Sequence, residues 1–208
     1  MQYLNVLKNA GFPERILVLG PNLRFAYNHK DCSTIKKNVK SPNILLLLTF
    51  DNDLAYDLIH KVEIVSKEFP QLFIYIRGHP LLNYKELEQF LTKINFTNFE
   101  YADEGIMQDW LSNTDIVISS GASIANVETI ARGVPLIRVE PDNSFFLDPL
   151  AWSDYPIKPV NNPDEIINAV KYIIEMKQKD KDKLESIGRD ISFNYFTEIN
   201  KNTMEVFN

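Results

Sequence analysis

From Asn43 onward, short apolar runs alternate with longer stretches whose apolar residues recur every three or four positions, the spacing of a helix with one buried face. The runs predict strands at Ile44–Phe50, Leu72–Arg77, Phe99–Ala102, Asp115–Ser119 and Leu136–Glu140, with a short one near Ile157–Val160. The periodic stretches predict helices at Leu54–Glu68, Tyr84–Ile94, Ile106–Leu111, Ile124–Arg132 and Pro163–Lys179, and a last one within Asp182–Phe207. A run such as Ile44–Leu48 has no polar alternation, so both of its faces are buried, as in parallel sheets covered by helices. The pattern therefore predicts an α/β, doubly wound, mostly parallel sheet. Boundary residues agree with it. Asp53 or Asn52 can cap the first of these helices and Asn83 the second, while Gly133-Val134-Pro135 ends the helix at Ile124–Arg132.

The first 42 residues follow a different pattern. Met1–Asn9 reads as a helix, Arg15–Leu19 as a strand-like run, and Pro21 to Pro42 as a polar stretch with few periodic apolar positions. This divides the chain into a lead-in segment, residues 1–42, and one main domain, residues 43–208. The sequence contains no internal repeat.

Composition narrows the possibilities. The 208 residues are 45% hydrophobic and 24% charged, which suits one ordinary globular core rather than a disordered or fibrous chain. The longest apolar run, Ile44–Leu48, is far too short to cross a bilayer, and the N-terminus lacks a basic flank followed by a secretory apolar stretch. These features predict a soluble, cytoplasmic protein without a transmembrane segment. The single cysteine, Cys32, cannot form an internal disulfide or a thiol-rich metal site. A net charge of -6 argues against nucleic acid as a partner, so any phosphate must be held locally. The alternating charges at Lys177–Lys183 read as the solvated face of a helix.

In an open parallel sheet the ligand crevice lies beyond the carboxyl ends of the strands. Four turns occupy that edge: Thr49-Phe50-Asp51-Asn52-Asp53, Arg77-Gly78-His79-Pro80, Asp103-Glu104-Gly105 and Ser119-Ser120-Gly121-Ala122-Ser123. The last places serines and small residues where an apolar strand meets a helix, so backbone N–H groups and hydroxyls can converge on an anion; a phosphate is the natural guest. Ser120 and Ser123 also suit a simple helix cap. Arg77-Gly78-His79-Pro80 joins a permanent cation, a flexible glycine and a histidine able to donate to a phosphate oxygen. The alternatives are a surface ion pair for Arg77 and a structural role for His79. Asp103-Glu104-Gly105 reads first as a helix cap, with an acidic catalytic motif as the alternative. Asp51 and Asp53, without a third ligand, make a poor metal site, and no metal is expected. Phe50, and Phe145 or Phe146, are placed to stack on a base; Trp110 and Trp152 read as core or rim. Glu128, about one turn after Ile124, faces either the crevice or solvent.

Together these segments resemble the nucleotide-sugar-binding, C-terminal half of a GT-B glycosyltransferase, a Rossmann-like lobe. Gly11-Phe12-Pro13-Glu14-Arg15-Ile16-Leu17-Val18-Leu19-Gly20 is similar to the segment by which such enzymes enter that lobe, and Thr114–Ile137 is similar to its phosphate turn and following helix. Arg77-Gly78-His79-Pro80 followed by Ser119-Ser120 resembles the His-Pro and Ser-Ser motifs of bacterial sialyltransferases and capsule polysaccharide transferases.

The resemblance implies a catalytic His79 that contacts the donor phosphate and assists its departure, with Ser119, Ser120 and Ser123 on phosphate oxygens and Glu128 on the donor ribose. Thr49, Phe50, Arg77 and Gly121 complete the implied donor site. It implies no cofactor beyond the donor nucleotide sugar, with CMP or CDP favoured over UDP. It also implies an acceptor-binding lobe or partner subunit, because the residues before Asn43 are too few for a second Rossmann-like lobe; without one, transfer is not expected. Two other functions fit the same residues: half of a UDP-N-acetylhexosamine 2-epimerase-like enzyme, and a non-catalytic nucleotide-sugar-binding subunit.

Overall fold

The structure is a computed structural model, and it describes residues 2–18, 20, 42–94, 98–102, 104–120, 123–142, 148–196 and 199–205. Five strands form one all-parallel sheet: β1 (Asn43–Leu47), β2 (Phe73–Arg77), β3 (Phe99–Tyr101), β4 (Ile116–Ser120) and β5 (Leu136–Val139). Their order is β3-β2-β1-β4-β5. The central strands are apolar because they are covered twice. Ile44, Leu45, Leu46, Val117, Ile118, Leu136 and Ile137 are fully buried, whereas edge strand β3 is only partly covered. The expected sixth strand near Ile157–Val160 is reduced to a single parallel bridge between Val139 and Val160.

Eight helices are described: α1 (Gln2–Asn9), α2 (Asn52–Glu68), α3 (Tyr84–Leu91), α4 (Met107–Leu111), α5 (Ile124–Ala131), α6 (Pro163–Glu175), α7 (Gln178–Ser192) and α8 (Lys201–Met204). Helix α2 links β1 to β2 and α5 links β4 to β5. These steps leave the centre of the sheet in opposite directions, so right-handed crossovers place α2 and α5 on opposite faces. Helix α6 packs on α2, and α7 packs on α5.

Several boundaries differ from the sequence expectation. The strand-like run expected from Arg15 is, among its described residues 15–18, not a strand: Glu14–Ile16 form a turn of 3₁₀ helix behind Pro13. The cap of α2 is Asp51, whose carboxylate accepts from the Leu54 N–H at 3.1 Å, rather than Asn52 or Asp53. Asn83 does cap α3, accepting from the Glu86 N–H. The predicted helix at Pro163–Lys179 stops at Glu175, because Met176 and Lys177 are extended. Gly133 ends α5 in the left-handed region at φ 73°, where a side chain would be strained.

Candidate functional site

The direction of the chain reverses across the sheet between β1 and β4, and this switch point defines the crevice at their carboxyl ends. Leu47 pairs with Ser119, so Ser120, the last residue of β4, lies level with Leu48 and the start of the turn that carries Thr49 and Phe50. His79, on the next turn outward, meets Phe50 edge-on, with ring centroids 5.7 Å apart. The turns after β1 and β2 thus meet at the edge where β4 ends.

The two serines at the end of β4 have different surroundings. Ser119 is 1% exposed, and its Oγ donates to Oδ1 of the buried Asn126 on α5 at 2.6 Å. Successive strand residues point to opposite faces, so Ser120 lies on the face covered by α2. It is 5% exposed, and its Oγ has no hydrogen-bond partner among the described residues. A buried hydroxyl without a partner forfeits hydrogen bonding that water would have supplied, which is uncommon in a settled interior. Ser123 is the N-cap of α5, its Oγ accepting from the Ala125 N–H at 3.2 Å. Glu128 is 4% exposed, which removes solvent as its environment. Gly121 lies outside the described residues, as do Asp103, Phe145 and Phe146.

His79 is half-buried, and its Nδ1 accepts from the Leu81 N–H at 3.2 Å. A neutral imidazole that accepts at Nδ1 carries its proton on Nε2, so the second ring nitrogen is a donor. Arg77 is committed elsewhere. One terminal nitrogen donates to the Ala102 carbonyl at 2.9 Å and the other to the Gly105 carbonyl at 3.0 Å. Among the described residues, Arg77 meets two backbone carbonyls of the turn after β3 rather than a surface acid. The N-cap of α4 is Ile106, which offers no side-chain cap, and the Glu104 carbonyl accepts from Trp110 Nε1 at 2.6 Å.

Asn126 is the site residue that sequence reasoning passed over. Its signal is the one amide of Ile124–Ala131, one residue before the apolar Val127, since a polar group that is buried needs a partner. Among the described residues, no group of three or more His, Cys, Asp or Glu is placed to hold a metal ion.

No family model matches the chain, and no curated protein matches it. Solved structures do. The catalytic domain of cholesterol-α-glucosyltransferase from Helicobacter pylori aligns with a TM-score of 0.53 at 14% identity, over 74% of this chain and 100% of that one. S. aureus MnaA in its co-structure with UDP aligns at 0.61 and 14% identity, over 99% of this chain. UDP-GlcNAc 2-epimerase from Neisseria meningitidis bound to UDP-GlcNAc aligns at 0.55 and 16% identity, over 93% of this chain. This chain spans 55% of the MnaA chain and 57% of the Neisseria epimerase. At such identities the likeness establishes the fold, a Rossmann-like α/β domain of the kind found in one lobe of GT-B glycosyltransferases and in UDP-GlcNAc 2-epimerases. Among the described residues, no helix is long and apolar enough to cross a membrane.

Proposed function

We propose that this chain is the donor-binding domain of a glycosyltransferase that builds surface polysaccharide or glycan. The observation that carries this reading is the buried, unpartnered hydroxyl of Ser120 at the switch point, a donor held ready beside the turn after β1. In this reading a donor phosphate accepts from Ser120 Oγ and from Nε2 of His79, and Phe50, 62% exposed, offers a flat apolar face to the nucleoside. Charge builds on the phosphate as the glycosidic bond breaks, so a fixed donor at His79 gains strength toward the transition state. Glu128 would hold the ribose. Ser119 acts indirectly, by holding α5 against β4 through Asn126.

Transfer needs two substrates aligned against each other, and one lobe leaves the acceptor unpositioned in water. We therefore assign chemistry to the domain only when it is joined to an acceptor-binding lobe, on the same polypeptide or on a partner. The His-Pro and Ser-Ser resemblance favours CMP- or CDP-activated donors, whereas the names of two matching structures carry UDP or UDP-GlcNAc. The epimerase likeness supports a second reading, in which the same pocket belongs to a UDP-N-acetylhexosamine 2-epimerase-like enzyme.

Calorimetric and thermal-shift titration with CMP, CDP, UDP and their sugars tests both readings. A ligand present at a hundred times its Kd stabilises the native state by about 2.7 kcal/mol. Selective binding of cytidine nucleotides supports the transferase reading, and selective binding of UDP-N-acetylhexosamines supports the epimerase-like one. No stabilisation by any nucleotide would overturn both.

A further inference from the structure

We propose that Arg77 is a positioning residue, which shapes the ligand site through the turn after β3 and does not itself bind phosphate. This inference rests on the nucleotide-binding reading above. Its basis is the geometry of three backbone carbonyls. Those of Ala102 and Gly105 accept from the two terminal nitrogens of Arg77, and that of Glu104, between them, accepts from Trp110 Nε1. Side chains from β2 and α4 therefore grip one turn from two sides.

The grip has a local cause. Gly105 adopts φ 81°, which turns the chain sharply before α4. Ile106 supplies no side-chain cap at the start of that five-residue helix, so the described side chains that hold the turn are those of Arg77 and Trp110. The guanidinium fork is suited to the task because its two terminal nitrogens lie apart in one rigid plane, whereas an ammonium presents its three donors from a single atom. Trp110 is held in turn by Tyr75 of β2, with ring centroids 5.1 Å apart. Arg77, Tyr75 and Trp110 thus tie the turn to β2, the strand that also presents His79.

Position along the edge separates this turn from the phosphate. Strand β3 lies three strands from β4, roughly 14 Å at ordinary strand spacing. A ligand whose phosphate rests on Ser120 can reach the turn only with its far end. Arg77 therefore governs affinity for the organic part of the ligand and leaves affinity for a bare phosphate unit unchanged.

The test uses the full chain carrying Trp152→Phe, which leaves Trp110 as the only tryptophan. Arg77→Lys keeps the charge but loses the fork, and Arg77→Met loses both. Affinities for CDP, UDP and inorganic pyrophosphate are measured by calorimetry, and the exposure of Trp110 by acrylamide quenching. Both variants should weaken binding of the preferred nucleoside diphosphate about tenfold and raise quenching of Trp110, while pyrophosphate affinity changes less than twofold. If Arg77→Lys retains full nucleotide affinity while Arg77→Met loses pyrophosphate, Arg77 is a direct phosphate ligand and the inference falls. Unchanged quenching in both variants overturns it as well. Trp110→Phe keeps the ring but drops the N–H, so it covers the case in which the Arg77 variants do not fold; it should weaken nucleotide binding selectively in the same sense, and a parallel loss for pyrophosphate would count against the proposal. Failure of the unsubstituted chain to bind any nucleotide is a separate outcome, which removes the donor-domain reading itself.

Discussion

The hydroxyl of Ser119 donates to the side-chain carbonyl of Asn126 at 2.6 Å, and both residues are 1% exposed. This bond joins the end of β4 to the first turn of α5 inside the core, where water cannot replace it. Its neighbour Ser120 has a buried hydroxyl without a partner among the described residues. The two adjacent serines should therefore respond in opposite ways to the same substitution.

Ser119→Ala should destabilise the protein by about 1–2 kcal/mol, the cost of losing one buried hydrogen bond partner. At this chain length that corresponds to roughly 2–8 °C in Tm. Ser120→Ala should be close to neutral for stability yet weaken nucleotide binding about tenfold. Chemical denaturation and calorimetry on the pair would show the split; a larger stability loss in Ser120→Ala would contradict it.

His79 offers a second dissection. An asparagine amide occupies the place of Nδ1 and a glutamine amide that of Nε2, so the two variants separate the turn contact to Leu81 from the outward donor. His79→Gln should keep most of the nucleotide affinity. His79→Asn should lose about tenfold while melting near the wild-type temperature. Higher affinity in His79→Asn than in His79→Gln would place the nitrogen that matters at Nδ1, and equal affinities would leave neither nitrogen with a role of its own.

Gly188 of α7 sits directly on the backbone carbonyl of Ile130 in α5, leaving no room for a Cβ. Gly188→Ala should push the two helices apart and destabilise by about 1–3 kcal/mol, as overpacking does. A wild-type denaturation midpoint in this variant would show that α7 is free to shift.

Glu63 on α2 provides a pH signature. Its carboxyl is held below the ordinary glutamate value chiefly by the hydrogen bond from Lys67, against burial, with further help from the charges of Lys67 and of His60 when protonated. A lowered folded-state value means that the contribution is present above the unfolded pKa of about 4.5 and is lost as pH falls through the lower folded value. Because Lys67 is largely exposed, the effect should be only about 0.3–0.5 kcal/mol. The stability difference between the wild type and Glu63→Gln should be visible at pH 7 and shrink steadily below pH 4.5; a difference that grows on acidification would refute the assignment.

The sheet was legible because burial on both faces leaves a plain trace: Ile44–Leu48 and Ile116–Ile118 have no polar residue to confuse the reading. The break between α6 and α7 left no trace. No glycine or proline marks Met176-Lys177, and the helix stops there because α6 must cover α2 while α7 must cover α5 on the other face. Tertiary packing overrode local propensity. At the site, the turns that reach the carboxyl edge followed from strand order alone. The targets of individual side chains did not, since the grip of Arg77 on Ala102 and Gly105 depends on which strands are neighbours in space. Ser119 and Ser120 are indistinguishable as letters, and only the alternation of β4 assigns one to the face of α5 and the other to the face of α2.

The extended pair Met176-Lys177 also gives the chain a strap. Helix α6 starts beyond Val160, near the carboxyl edge, and runs back along one face; the strap then carries the polypeptide around the opposite rim to begin α7 on the other face. One continuous segment therefore closes both sides of the core, with its last part lying over α5. Partial release of that last part would uncover α5 while leaving β1 to β5 intact, so the layer next to Ser119 and Asn126 is the one that can loosen first without loss of the sheet.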